Sequence, residues 1–204
     1  MTEHLRVFVA IELPQNMLDY IQSVQDAMRA GGFSYIAWTK PQGIHLTLKF
    51  LGEILPDQVP QVVEAMTTSA SGCGQLRLTT REIGAFPSMD RARVLWLGVH
   101  GDVRALTALQ ARLDGGLAAL GFPRETRPFS AHLTLGRVRD GMPPAERRRL
   151  GPLAASVRTD GGVSFDVTAV SLMRSTLTPS GAIYDRLAEA ALTASVRMSA
   201  AMRR

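Results

Sequence analysis

The sequence predicts an α+β fold in which largely antiparallel sheets are covered by helices. Strand-like and helix-like segments are interspersed, and several strands follow one another without an intervening helix. One tetrapeptide also occurs twice, at residues 45–48 and 132–135, so the copies lie 87 residues apart. A repeat at this distance predicts two halves of similar build.

In the first half, the hydrophobic pattern predicts two strands, each followed by a helix. Residues 5–12 and 44–51 alternate and are rich in β-branched and aromatic side chains, which is typical of strands. A helix is predicted from Pro14 to the Gly31-Gly32 pair, with apolar residues at helical spacing. Another helix is predicted from Pro56 to about residue 69.

From residue 75 on, the chain continues with the same two periodicities, interrupted by loop residues at 84–88 and 121. The predicted strands are residues 75–83, 93–99, 129–138 and 163–175; the predicted helices are residues 103–120 and a segment that begins at Pro143. From about residue 187 the chain is rich in alanine with scattered arginine, and we interpret it as a helical or frayed basic tail.

Composition narrows the class of protein. The 204 residues are 46% hydrophobic and 20% charged, as in ordinary globular proteins, and the net charge of +5 favours acidic partners such as nucleic acid. Cys73 is the single cysteine, which excludes an internal disulfide and suits a reducing cytoplasm. The apolar run near the N-terminus is short and bracketed by Glu3 and Glu12, so we expect a cytoplasmic protein without a membrane span.

The repeated tetrapeptide is His-Leu-Thr-Leu, and it contains two of the four histidines of the chain. On a strand, residues two apart share a face, so each histidine and its threonine point one way while the two leucines point into a core. Each copy therefore presents one imidazole and one hydroxyl. If the two strands are neighbours, both pairs line one groove.

This set of groups suits a phosphodiester. With a reference pKa near 6.5, one imidazole can be neutral and accept a proton from water, while the other is protonated and donates to the departing oxygen. A lone His-x-Thr is usually structural, but duplication in identical context favours catalysis. A zinc site would need a third protein ligand, and neither tetrapeptide contains Asp, Glu or Cys. We therefore expect neither a metal nor a cofactor.

Stretches along nearly the whole chain resemble a known family. They are residues 6–14, Trp38 with residues 45–53, residues 84–87 with 93–98, residues 127–129 with 132–138, and Ser175 with Leu177, Pro179, Gly181 and Tyr184. The chain is thereby similar to the two-histidine phosphoesterase superfamily. Within that superfamily, it resembles the RNA 2′,3′-cyclic phosphodiesterases that are also called 2′-5′ RNA ligase-like proteins.

The resemblance implies a bilobal fold with pseudo-two-fold symmetry, two antiparallel sheets flanked by helices, and an active-site groove between the lobes. Residues 1–204 would form one domain of two intertwined lobes, with a frayed basic tail from about residue 188. It also implies metal-free hydrolysis of an RNA 2′,3′-cyclic phosphate to a 2′-phosphate. By motif position, His45 matches the proton donor and His132 the proton acceptor; the matching phosphate and substrate contacts are Thr47, Thr134 and Arg137.

Two further substrate contacts are suggested by the chemistry of the residues. Lys49 lies two residues beyond Thr47, so simple alternation directs it toward the phosphate, although an exposed lysine at a strand end fits equally well. Phe129 can stack a base. The expected partner is RNA with a 2′,3′-cyclic phosphate end, such as a tRNA fragment, and the expected state is a monomer.

Three other functions remain open at this point. The first is a 2′-5′ RNA ligase or 2′-5′ phosphodiesterase, since the same acid–base pair serves both directions. The second is a catalytically idle domain that binds RNA ends, against which both intact motifs argue. The third is a hydrolase of small cyclic nucleotides, which would need a narrower groove and a less basic surface.

Overall fold

A computed structural model describes residues 4–159, 162–179 and 181–194, and the fold is α+β as predicted. Three short 3-10 turns, at Pro41–Gly43, Pro56–Gln58 and Met89–Arg91, interrupt the connections. The helices and strands follow in the order β1 (Leu5–Ile11), α1 (Gln15–Arg29), β2 (Ile36–Trp38), β3 (Leu46–Ile54), α2 (Val59–Ala70), β4 (Leu76–Phe86), β5 (Val94–Gly101), α3 (Val103–Ala118), β6 (His132–Val138), α4 (Pro144–Ser156), β7 (Ser164–Val167), β8 (Ala169–Thr178) and β9 (Gly181–Ala191).

The strands form two antiparallel sheets that exchange strands between the two halves of the chain. The first sheet has the order β3-β1-β8-β9, and the second has the order β2-β6-β5-β4-β7. Strand β4 ends the first half but pairs with β5 of the second half, while β8 belongs to the second half and pairs with β1 of the first. Buried residues of both sheets belong to one continuous hydrophobic cluster, so the two sheets share a core.

Helix α1 shows how the sequence pattern produces this packing. Its apolar residues Met17, Ile21, Val24 and Met28 recur every three or four positions and are all buried, so the helix lays one face on the core. Pro14 precedes the first turn in an extended conformation, which suits a residue that has no N–H to donate. The other predicted helices begin within about three residues of the observed ones, and the two for which an end was predicted also end within that distance.

Three expectations about elements were wrong, and one short strand was not predicted. The predicted strand 163–175 is two strands in different sheets, β7 and β8, separated at Thr168, because alternation continues unchanged when a chain crosses between sheets. The predicted loop 84–88 begins too early, since β4 extends through Phe86. The three-residue strand β2 gives too little pattern to be recognised.

The predicted tail from about residue 188 is the third wrong expectation, and no strand was predicted for residues 181–187, with which β9 begins. Residues 188–191 are the end of β9, where Ala188 pairs with Leu172, because pairing with β8 overrides the helical preference of alanine. The remainder of that tail, residues 195–204, lies outside the described residues. Within the described part of the chain, no helix is long and apolar enough to cross a membrane.

Both copies of the repeat carry a β-bulge at their second leucine. Thr47 pairs with Ala10 and Lys49 with Val9, which leaves Leu48 as an extra residue in β3. In β6, Leu135 is the extra residue in the same way. An inserted residue reverses the alternation beyond it. The residue that rejoins the face of histidine and threonine is therefore the fifth after each histidine, not the fourth.

The bulge overturns the expectation that Lys49 meets phosphate or stands exposed at a strand end. Its side chain is wholly buried, and the ammonium donates to Asp114 Oδ1 at 2.5 Å and to the Pro123 carbonyl at 2.6 Å. Gly136 occupies the equivalent place in the second copy. A Cβ there would approach the Ala37 carbonyl oxygen of β2 to 3.0 Å, so the neighbouring strand leaves no room for a side chain.

Asp114 belongs to α3 and accepts a second hydrogen bond from the N–H of Glu125. Burial alone would raise the pKa of Asp114, but the hydrogen bonds from Lys49 and Glu125 and the charges of Lys49 and Arg124 outweigh burial and hold the pKa below its usual value. The Lys49–Asp114 pair thus ties β3 to α3 and to the loop that leads into β6.

Each bulged leucine also has its carbonyl satisfied by a buried glutamine of the other half. Gln25 of α1 donates to the Leu135 carbonyl at 2.8 Å and to the Thr39 carbonyl at 2.7 Å. Gln110 of α3 donates to the Leu48 carbonyl at 3.4 Å. The Leu135 carbonyl also accepts a hydrogen bond from the Thr39 N–H at 3.0 Å. The glutamine contacts hold the bulges in place, and such a hydrogen bond typically contributes about 0.5–1.5 kcal/mol to stability.

We predict that Lys49→Ala lowers the free energy of unfolding by about 3–5 kcal/mol, because it leaves the Asp114 carboxylate buried without its cation. The matched control is Lys40→Ala, which removes the exposed second lysine of the chain. Urea unfolding at pH 7 measures both. Because the Asp114 pKa is lowered, its contribution is complete above about pH 4 and is lost as the pH falls through the folded-state value. Equal losses of unfolding free energy in Lys49→Ala and Lys40→Ala would contradict this role. A difference between the two losses that grows as the pH falls would contradict it as well.

Candidate active site

A cavity of about 470 Å³ lies between the two sheets and brings the two copies of the repeat together. His45, which immediately precedes β3, and Thr47 line one side of it, while His132, Thr134 and Arg137 of β6 line the other. All five residues that the motif comparison singled out therefore meet in one groove. Both threonines are half-buried, and Arg137 is exposed.

His45 is held by a carbonyl and two aromatic rings. Its ring donates a hydrogen bond to the backbone of Gly43, stacks on Phe8 with centroids 4.6 Å apart, and meets the edge of Tyr184 at 4.9 Å. Burial among these groups lowers the pKa of His45, and the Gly43 carbonyl and the charge of Glu12 oppose the shift without cancelling it. The ring is therefore mainly neutral at pH 7 in the unliganded protein.

His132 is held in the same manner. Its Nδ1 lies 2.8 Å from the Ser130 carbonyl oxygen, which can only accept, so Nδ1 carries the proton of this hydrogen bond and Nε2 is left for a ligand. Phe86 meets the ring edge-on at 5.0 Å. In both copies the carbonyl lies two residues before the histidine, and in both an aromatic ring packs on the imidazole. The local repeat thus extends beyond the tetrapeptide.

The position five residues after each histidine supplies a further groove residue. It is Arg137 in the second copy and Phe50 in the first, and Phe50 lines the cavity with 63% of its surface exposed. Sequence reasoning named Arg137 from the family resemblance but missed Phe50, although the same count from His45 leads to it. Other lining residues that were not singled out as site residues are Arg6, Phe8, Thr39, Glu53, Ser175, Leu177 and Tyr184.

A second cavity, of about 680 Å³, continues from the groove on the far side of His132. The two cavities share Thr47, Phe50 and His132. Phe129 lies in the second cavity and not in the main groove, and it is half-buried against the core. Its neighbours in the cavity include Phe86, Arg93, Glu125 and Arg127.

The assembled groups are those of acid–base chemistry on an anion. Two imidazoles can exchange protons, two hydroxyls can donate hydrogen bonds, and Arg6 and Arg137 add positive charge. Among the residues described, no three His, Cys, Asp or Glu side chains converge where they could hold a metal ion. Independence from metal remains a prediction that chelation has to test.

Comparison with known sequences shows that the two halves of this chain match the same family model. The model of the LigT-like phosphoesterase family matches this chain twice, over residues 11–96 and residues 97–184. A Methanothermobacter thermautotrophicus protein named RNA 2′,3′-cyclic phosphodiesterase is 31% identical over 180 residues, which are 88% of this chain and 95% of the relative. A protein of the same name from Archaeoglobus fulgidus is 31% identical over 186 residues, covering 90% and 98% of the two chains.

Solved structures show the same architecture. A crystal structure of a Thermus thermophilus protein superposes with a TM-score of 0.74 at 25% identity and covers 94% of this chain and 100% of the other. The crystal structure of E. coli LigT in complex with 3′-AMP gives a TM-score of 0.71 at 25% identity, covering 94% and 99%. With the two matched halves and the full-length relatives, these findings confirm the resemblance: the chain belongs to the LigT-like phosphoesterase family.

Proposed function

We propose that this protein hydrolyses a 2′,3′-cyclic phosphate at the end of an RNA to a 2′-phosphate. The observation that carries the proposal is the convergence of His45 and His132, each with its threonine, on one cavity. The name shared by the full-length relatives identifies their substrate and supports the same substrate class here. The net charge of +5 suits a polyanionic partner, of which tRNA fragments are one example.

In the proposed reaction the two histidines divide the proton transfers. His132, neutral at Nε2, takes a proton from water as the water oxygen attacks phosphorus. His45, protonated, gives a proton to O3′ as the bond between phosphorus and O3′ breaks. The products are a 2′-phosphate and a 3′-hydroxyl. His132 has gained one proton and His45 has lost one, so proton exchange with solvent returns both histidines to their starting states.

The remaining groups act on the charge of the phosphate. Thr47 and Thr134 donate hydrogen bonds to the non-bridging oxygens, whose charge grows in the transition state. Arg137 and Arg6 supply positive charge at the rim of the groove. The aromatic rings on the two imidazoles restrict their orientation, which keeps the nitrogen atoms aimed at the bound phosphate.

The lowered pKa of His45 has a consequence for this scheme. A donor must carry a proton, yet burial leaves the ring mainly neutral in the unliganded enzyme at pH 7. A phosphate beside the ring favours the charged form and so raises the pKa. Substrate would therefore create the acid it needs, and the proton would transfer as the bond between phosphorus and O3′ breaks, because the leaving oxygen then becomes more basic than the imidazole.

The function is tested by incubating the protein with an RNA oligomer that ends in a 2′,3′-cyclic phosphate, in the presence of EDTA. We expect complete turnover, and phosphorus NMR should identify a 2′-phosphate. Failure in EDTA with recovery on adding zinc would contradict the metal-free scheme. A 3′-phosphate product would mean that O2′, and not O3′, is the leaving oxygen. Joining of the oligomer to a second RNA would favour the ligase function.

Replacing either histidine should remove most of the activity. His45→Ala and His132→Ala are each expected to slow hydrolysis by about 10²–10⁴-fold, because each removes one proton-transfer partner. A substrate whose leaving group needs no protonation should restore the rate of His45→Ala but not that of His132→Ala. The opposite pattern of rescue would exchange the two roles, and full activity of both variants would refute the mechanism.

We predict that the pKa of His45 lies below about 6.5 in the free protein and rises when adenosine 2′-phosphate is bound. Histidine NMR across a pH titration measures it, with His100 as the internal control, since that ring contacts Glu82 at 2.8 Å and does not line the groove. The sign follows from the charge: an anion stabilises the imidazolium. A His45 midpoint that stays constant or falls would contradict the donor role.

A further inference from the structure

We propose that the second cavity and its arginine-rich continuation bind the RNA upstream of the cyclic phosphate, so that the protein prefers oligonucleotide ends to single cyclic nucleotides. This inference rests on the proposed function and extends it to the length of the substrate. Its basis is a continuous surface that leads away from the two histidines and combines aromatic rings with exposed arginines that form no ion pair with any carboxylate in the described part of the chain.

The surface is continuous because neighbouring cavities share residues. The second cavity meets the main groove at Thr47, Phe50 and His132. At its other end it shares Pro87 and Arg93 with a third cavity of about 560 Å³. A chain whose terminal phosphate lies between the histidines can therefore follow these shared residues from the groove through the second cavity to the third.

The third cavity is positively charged. Arg91, Arg93, Arg139 and Arg147 line it, against two carboxylates, Asp90 and Asp140. Arg147 is engaged structurally, since it donates to the Ala92 carbonyl at 3.0 Å. Arg91, Arg93 and Arg139 are exposed, and among the described residues none of the three forms an ion pair with a carboxylate.

Three arginines elsewhere on the sheets are instead neutralised by neighbouring carboxylates. Arg77, Arg174 and Arg186 lie on strands of the two sheets, and each is paired with a carboxylate at 2.9 Å or less. Guanidinium groups that lack an internal partner are free to bind phosphate oxygens in pairs of hydrogen bonds. The arrangement at the third cavity therefore fits an RNA backbone.

The second cavity supplies stacking in addition to charge. Phe86 and Phe129 line it together with Arg93 and Arg127. All four bases can stack on an aromatic ring, so such a site binds single-stranded RNA with little preference for sequence. Glu125 also lines this cavity, but the two arginines outnumber it.

The test compares two substrates with the same reacting end, adenosine 2′,3′-cyclic monophosphate and a tetranucleotide that ends in the same group. We expect the wild-type protein to have the higher kcat/KM for the tetranucleotide. The double variant Arg91→Ala/Arg139→Ala should reduce the ratio of the two kcat/KM values by roughly ten-fold or more, since each arginine removed loses a charge-assisted contact. The matched control is Arg104→Ala, which removes an exposed arginine of α3 that lines none of the three cavities.

Binding distinguishes failure of this inference from failure of the proposed function. The affinity for a labelled tetranucleotide with a 2′-phosphate end should fall with salt, and the double variant should lower the magnitude of that salt slope by about 1.4. No turnover of either substrate by the wild-type protein would overturn the proposed function. Unchanged tetranucleotide affinity in the double variant, an equal loss with Arg104→Ala, or equal kcat/KM for both substrates in the wild type would overturn the upstream RNA site.

Discussion

One extra residue directly after the threonine of each repeat determines where the functional side chains point. The bulges at Leu48 and Leu135 keep histidine and threonine on the groove face and then reverse the alternation, so that the fifth residue after each histidine rejoins that face. Without the bulges, Lys49 would enter the groove, and Phe50 and Arg137 would turn away from it. The charge and shape of the site therefore depend on a backbone irregularity and not only on which side chains are present.

The bulges are held from the opposite half of the chain. Gln25 and Gln110 each reach across to the carbonyl of the bulged leucine in the other half, and Lys49 reaches Asp114 in α3. These contacts are buried, where an unpaired polar group costs more than it does in water. Each catalytic strand is therefore supported by a helix of the other half, which links the packing of the core to the geometry of the groove.

The two imidazoles share their supports but differ in surroundings. Each donates to a carbonyl two residues earlier and packs on a phenylalanine, yet His45 is also enclosed by Tyr184, and burial lowers its pKa. A duplicated motif in two environments is a direct way to obtain two different acid–base groups from one sequence. The identical tetrapeptides do not predict this difference. It arises from Phe8 on β1 and Tyr184 on β9, which are distant from His45 in the sequence.

The sequence by itself determined the α+β class, most helices, the repeated motif and the set of groups that converge on the groove, because local periodicity and residue chemistry carry that information. It did not determine β2, the break between β7 and β8, or the strand at residues 188–191, because these depend on which strand lies alongside. The inward turn of Lys49, the entry of Phe50 into the groove and the place of Phe129 in a separate cavity were decided only by the tertiary structure. Their common physical reason is register: one residue inserted opposite a neighbouring strand reverses every side chain beyond it, and no local pattern reveals the insertion.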